Sequence, residues 1–207
     1  MVGEISPTQA MQLAVGRTEN VKILVIVLVC LLGLLLLARF RRAKLPAVAP
    51  TGPTSEYLDL RKRALEFSPI ELGLTNEITA GPWGMIMEIY MDSSQAVVTV
   101  TSFADGNASI YLSPGDGYIG KVGKTKIHDA AIAFVKAKTR FESSMVPTNG
   151  FALPQRGKTV FYLRSGDRIL RESASTEALD AKQHRLSKLW FAGQEVITQY
   201  RLDSGGR

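Results

Sequence analysis

Gly115-Asp116-Gly117-Tyr118-Ile119-Gly120 spells a literal G-x-G-x-x-G, and Gly123-Lys124-Thr125 adds the G-K-T ending of a phosphate loop. Both patterns work through backbone N–H groups that glycine lets close around a phosphate, with a lysine to supply charge. The stretch follows a strand-like run and precedes a helix-like one, the setting a dinucleotide fingerprint requires. It then departs from that fingerprint in three ways. The preceding strand belongs to an antiparallel meander, not to a strand–helix–strand unit. The helical pattern begins only near Thr125, too late for the third glycine to lie in its first turn. No following parallel strand ends in an acidic residue that would hold a ribose. The phosphate loop misses by one position, because its first glycine would fall at residue 118, which is Tyr118. Both nucleotide readings therefore yield to a weaker one, a site for an anion or small ligand over residues 115–126. Gly115, Gly117, Gly120 and Gly123 would offer backbone donors, with Lys121, Lys124 and Lys126 beside a helix N-terminus. Against it stands a wide turn whose glycines adopt positive φ, a common use of glycine-rich loops.

Elsewhere, side chains that do chemistry are sparse. The histidines are His128 and His184. His128 opens a long helix beside Asp129, but neighbours in sequence do not share a helical face, so no dyad follows. His184 lies in the basic stretch from Lys182 to Arg185 and reads as solvated. The one cysteine, Cys30, sits inside an apolar run. The rest of the chain thus has no disulfide, thiol nucleophile or cysteine-based zinc site. Neither G-x-S-x-G nor H-E-x-x-H nor a kinase signature occurs. These residues support no enzyme, and the expectation is no catalytic residue, no metal and no cofactor.

Tyr57, Leu60, Ala64 and Phe67 mark one face of a first helix, with Asp59 and Arg63 as an i,i+4 pair outside. Ser68-Pro69-Ile70-Glu71 has the form of a capping box with proline at the first helical position, starting a short second helix that Gly73 limits. Trp83–Met91, Ala96–Phe103 and Asn107–Ser113 are rich in β-formers and joined by short polar turns, which predicts an antiparallel meander. Over Ile127–Met145, one helical face carries Ile127, Ala130, Ala131, Phe134, Ala137, Phe141 and Met145, and the other carries Lys136, Lys138 and Arg140. Thr159–Arg164 and Arg168–Ser173 form a second hairpin about Ser165-Gly166-Asp167. Glu177–Lys182 reads as a short helical piece. Leu186–Leu202 is a final helix, with Gly193 on its apolar face permitting close approach to the sheet. The order α-βββ-α-ββ-α gives an α+β fold, an antiparallel sheet of about five strands with helices packed on one face.

Ile23 to Ala38 runs sixteen residues without a charged or strongly polar side chain. If Lys22 snorkels its ammonium to the interface, Val21 extends the run to eighteen residues. That is about 27 Å of helix against a bilayer core of about 30 Å. In lipid the backbone must satisfy its own hydrogen bonds, so a spanning segment here is helical. A cleaved signal peptide fits less well. Ala47-Val48-Ala49 resembles a cleavage site, but Arg39, Arg41, Arg42 and Lys44 separate it from the apolar run and Pro50 follows it. The expectation is an uncleaved, single-pass anchor.

The expected organisation is an extra-membrane segment at residues 1–20, a transmembrane helix at 21–40, a basic then proline-rich linker at 41–54, and a globular domain at 55–207. Four cations follow the run against two, Arg17 and Lys22, before it. The positive-inside rule then puts the C-terminal domain in the cytoplasm and the N-terminus outside. Arg39, Arg41, Arg42 and Lys44 form a membrane-surface patch within reach of anionic headgroups. The whole chain carries +6, but residues from 45 onward hold 19 cations against 17 acids, so the domain is nearly neutral and no nucleic-acid partner is expected. The resulting expectation is a membrane-anchored, non-enzymatic interaction or scaffold module with an unidentified protein partner, and as alternative a small-ligand or anion site at 115–126.

Overall fold

The computed structural model describes residues 52–75, 79–120, 124–137 and 141–205. The expected N-terminal segment, transmembrane helix and most of the linker, with Arg39, Arg41, Arg42 and Lys44, lie outside the described residues. Among the described residues no helix is long and apolar enough to cross a membrane.

The domain is α+β, built on one antiparallel sheet. Helix α1 (Ser55–Glu66) precedes strands β1 (Pro82–Met91), β2 (Ala96–Phe103), β3 (Ala108–Leu112) and β4 (Asp116–Tyr118). Helix α2 (Thr125–Lys136) and a 3₁₀ turn at Glu142–Ser144 lead to β5 (Val146–Pro147), β6 (Lys158–Ser165) and β7 (Arg168–Ser175). Two helices close the chain, α3 (Thr176–Asp180) and α4 (Ser187–Asp203). The strands lie in the order β4-β3-β2-β1-β6-β7-β5, all pairs antiparallel.

The sheet has seven strands, not about five. The two extra strands are its edges, three and two residues long. Pieces that short complete no side-chain period, and Asp-Gly and Val-Pro read locally as turn.

The helices do not all pack on one face. Met85, Met87 and Ile89 of β1 join Val98, Val100, Phe161 and Leu163 in the main core with residues of α2, α3 and α4. The alternate residues face α1: Ile86, Val160 and Tyr162 pack with Leu65, while Val97 and Tyr111 pack with Tyr57 and Ala64. A sheet covered on both faces needs apolar residues at consecutive positions, which is why β1 reads Trp-Gly-Met-Ile-Met without alternation.

Local chemistry fixes the ends of α1. The Thr54 side chain accepts from the Tyr57 N–H at 3.3 Å, and the Thr54 N–H donates to the Ser113 carbonyl at 2.9 Å, tying the helix start to the end of β3. The capping box after it forms: the Ser68 N–H donates to Glu71 at 2.7 Å and the Glu71 N–H to Ser68 Oγ at 3.3 Å. Residues 69–73 make only a turn, however, not the expected helix. On the outer face of α1, Lys62 and Glu66 form an i,i+4 ion pair at 4.0 Å.

Helix α2 stops at Lys136, short of Met145, yet Phe141 and Met145 still enter the main core by way of the 3₁₀ turn. Lys138 and Arg140 lie outside the described residues. Gly193 of α4 makes the expected close approach: a Cβ there would stand 2.4 Å from Met87 Cε and 3.1 Å from Phe134.

Candidate functional site

The glycine half of the predicted 115–126 site is built into the sheet edge. Gly115 turns the chain after β3 at φ +99, its N–H donating to the Leu112 carbonyl at 2.9 Å. Residues 116–118 then run back along β3 as β4, with Gly117 opposite Tyr111. A Cβ on Gly117 would stand 2.3 Å from the Ile110 carbonyl oxygen, so glycine is demanded there by close backbone approach. The Gly117 N–H is held by Asp116 Oδ1 at 2.7 Å. Gly120 has φ +38, and its N–H donates to Ser109 Oγ at 3.0 Å. Three of the backbone donors counted on for an anion are therefore engaged inside the domain.

Of the lysines of the predicted site, Lys124 and Lys126 are described. Lys121 and Gly123 are outside the described residues. Lys124 occupies the N-cap of α2 and pairs its Nζ with Asp203 Oδ1 at 2.8 Å, while Lys126 is exposed on the first turn. No side chain caps the α2 N-terminus.

Two concavities involve residues of the predicted site. A groove of about 240 Å³ runs between α1 and the β3–β4 hairpin, lined by Glu56, Leu60, Tyr111, Gly115, Asp116, Gly117 and Ile119 among others. Among the described residues its two charged ones, Glu56 and Asp116, are both carboxylates, and their field repels an anion. A second hollow of about 490 Å³ lies between the start of α2 and the end of α4, with Lys124, Lys126, Gln199, Leu202 and Asp203 on its walls. Gly115 and Gly117 thus line the first concavity, and Lys124 and Lys126 line the second.

Periodicity alone did not reveal the polar seam beneath α1. Arg61 lies on the buried face of α1 with Tyr57, Ala64 and Leu65. Its Nε and Nη2 donate to the two carboxylate oxygens of Glu88 at 2.6 and 2.8 Å. Glu88 is fully buried in β1 and also receives Thr99 Oγ1 at 3.5 Å, while Thr99 meets the Tyr57 hydroxyl at 2.8 Å. Burial pushes the Glu88 carboxyl up against the downward pull of Arg61 and Thr99. Burial likewise opposes the Arg61 charge, but Glu88 outweighs it and keeps the guanidinium protonated above its usual value. Both carboxylate oxygens are taken by one guanidinium fork, the geometry of a bidentate, charge-assisted pair. Tyr57 is also pushed up, first by burial and then by the Glu88 charge.

Arg164 of β6 completes the seam at the C-terminal end of α1. Its guanidinium donates to the Leu65 and Phe67 carbonyls and lies 4.5 Å over the Trp83 ring. A cation there meets the negative end of the helix dipole and two carbonyls that lack helical partners. Burial lowers its pKa to about 10, and its Nε is without a partner.

The histidines have structural neighbours. The His128 ring covers Gly106 in the β2–β3 turn, and its Nδ1 is 3.3 Å from Asp129 Oδ1. His184, expected to be solvated, is half-buried, and its Nδ1 accepts from the Leu186 N–H at 3.2 Å at the start of α4. Among the described residues no group of three His, Cys, Asp or Glu side chains could hold a metal ion. Comparison with protein families, with characterised proteins and with solved structures finds no significant match.

Proposed function

We propose that this chain is a single-pass membrane protein whose C-terminal α+β domain is a non-enzymatic interaction module on the cytoplasmic side. The observation that carries the reading is the sixteen-residue apolar run Ile23–Ala38, closed by Arg39, Arg41, Arg42 and Lys44 and joined through a proline-bearing linker to the domain that begins at α1. The interaction role draws support from the domain's surface, where Ile119 is 65 % exposed beside an open groove. The buried charges of the domain serve its architecture. Arg61, Glu88 and Arg164 are spent on one another and on backbone carbonyls, not aimed into a cavity. Alkaline carbonate extraction of membranes bearing the full chain tests the anchor. Retention in the pellet is the expected result, and release to the supernatant would sink the reading.

A second reading keeps the anion site but moves it wholly to the α2 end. It is favoured by the uncapped N-terminus of α2 beside Lys124 and Lys126. Titration of the full chain with inorganic phosphate and with ATP separates the two readings, since only this one expects saturable heat that Lys126→Ala removes.

A further inference from the structure

We propose that the groove between α1 and the β3–β4 hairpin docks a short segment of a partner protein that carries an aliphatic side chain flanked by lysine or arginine. This rests on the interaction-module reading above and names the chemistry of the partner. The groove, at about 240 Å³, is smaller than the roughly 300–1,000 Å³ of ordinary small-molecule sites. It has room for one or two side chains. Leu60, Tyr111 and Ile119 give it apolar walls, and the exposure of Ile119 leaves a large aliphatic side chain unpartnered at the mouth.

Charge then selects among apolar occupants. Glu56 and Asp116 are both exposed on the groove, and among the described residues no lysine or arginine lines it. An anionic or purely apolar segment would leave both carboxylates uncompensated, whereas a cation on either side of the anchoring residue pairs with them. The β4 edge contributes less. β4 is the terminal strand, but the Gly117 N–H is already held by Asp116, so recognition runs through side chains, not through addition of a strand.

The test uses the full chain in nanodiscs of phosphatidylcholine, whose neutral surface does not itself gather cationic peptide. The probes are an octapeptide alternating valine with lysine and its glutamate counterpart, followed by fluorescence anisotropy with empty nanodiscs as control. The lysine peptide is expected to bind, and more weakly at high salt. Glu56→Gln with Asp116→Asn removes both charges, and the amide oxygen introduced at position 116 still accepts from the Gly117 N–H. Each rim pair is worth about a two- to fivefold change in Kd, so the double variant weakens binding roughly tenfold. Lys62→Gln, on the outer face of α1, leaves it unchanged. Equal binding of the two peptides, or a double variant that binds like the native chain, overturns the proposal. So does self-association of the chain that Ile119→Asp abolishes, because the occupant is then a second copy. Flotation of the same nanodiscs keeps the two levels apart. A chain that inserts but ignores the peptide defeats the groove alone, and a chain that fails to insert defeats the anchored module and this inference with it.

Discussion

Arg61 and Glu88, 27 residues apart in sequence, meet as a two-pronged pair between α1 and the middle of β1, at 2.6 and 2.8 Å. Both side chains are buried. Desolvating two charges costs several kcal/mol per ion, and mutual attraction offsets this only with such geometry. The pair therefore specifies where α1 sits on the sheet more than it stabilises the contact.

Removing one partner strands the other. Glu88→Gln leaves a buried guanidinium with no carboxylate, and the expected cost is about 3–5 kcal/mol. Replacing both, as Arg61→Met with Glu88→Leu, should be neutral or stabilising by about 1–4 kcal/mol. Urea melts followed through the buried Trp83 and Trp190 measure both. A double variant no more stable than the single one would show that the pair is a net source of stability.

The domain should fold without the membrane, and where it is cut matters. A fragment starting at residue 52 retains Thr54, which caps α1 and bonds to Ser113. A fragment starting at Ser55 lacks the cap and should be less stable by about 1 kcal/mol. Thermal melts of the two fragments check this. Equal stabilities would mean that the α1 end frays regardless of its cap.

Some of this was legible in the sequence. Ala96–Phe103 matched β2 end for end because polar turns bracket a run of β-formers. Gly193 announced its close approach by standing on an apolar helical face. Arg61 did not stand out, since a helical wheel assigns a cation to solvent unless its partner is known, and that partner lies two elements away. Glu88 did carry a signal: a lone acid inside Met-Ile-Met-Glu-Ile-Tyr, in a strand with no polar alternation, implies a buried carboxylate that needs a cation. The glycine run misled for a physical reason. Glycine serves anion cradles, positive φ and tight strand contact alike, and its spacing does not say which.

The glycines and lysines of residues 115–126 should separate cleanly in mutants. Gly117→Ala drives a Cβ against the Ile110 carbonyl and should cost about 1–3 kcal/mol. Gly120→Ala meets open space but keeps positive φ, for about 1–2 kcal/mol. Lys124→Ala with Lys126→Ala breaks one ion pair, between an exposed Lys124 and a half-buried Asp203, and should stay within about 1 kcal/mol. Melting curves with and without phosphate give all three values. The expected pattern is that only the glycine variants melt early and that phosphate moves none of them.

Glu71 offers a local pH marker. Hydrogen bonds from the Ser68 N–H and hydroxyl hold its carboxyl below the usual glutamate value. A folded-state pKa lower than the unfolded one means the capping box is fully formed above the usual glutamate value and is lost as pH falls through the lowered one. NMR titration should find Glu71 titrating below the usual glutamate value, with the Ser68 amide shifting along the same curve. A Glu71 curve at the ordinary glutamate position would show that the box does not persist in solution.

Orientation needs a test that the fold of the domain does not obstruct. Asn107-Ala108-Ser109 is a glycosylation sequon, so its modification in a eukaryotic host would report a domain outside the cytoplasm. Yet Asn107 is half-buried in the β2–β3 turn with its amide donating to Asp105, and Ser109 is buried. The folded domain hides the sequon, so Asn107 reports orientation only if it is modified before the domain folds. Acceptor sites appended to the two termini avoid this. Four cations after the apolar run against two before it lead us to expect a glycan on the N-terminal site and none on the C-terminal one. The margin is two charges, so Arg41→Glu with Arg42→Glu should weaken the preference and yield a mixed population. A C-terminal glycan on the native chain would place the domain outside and reverse the assignment.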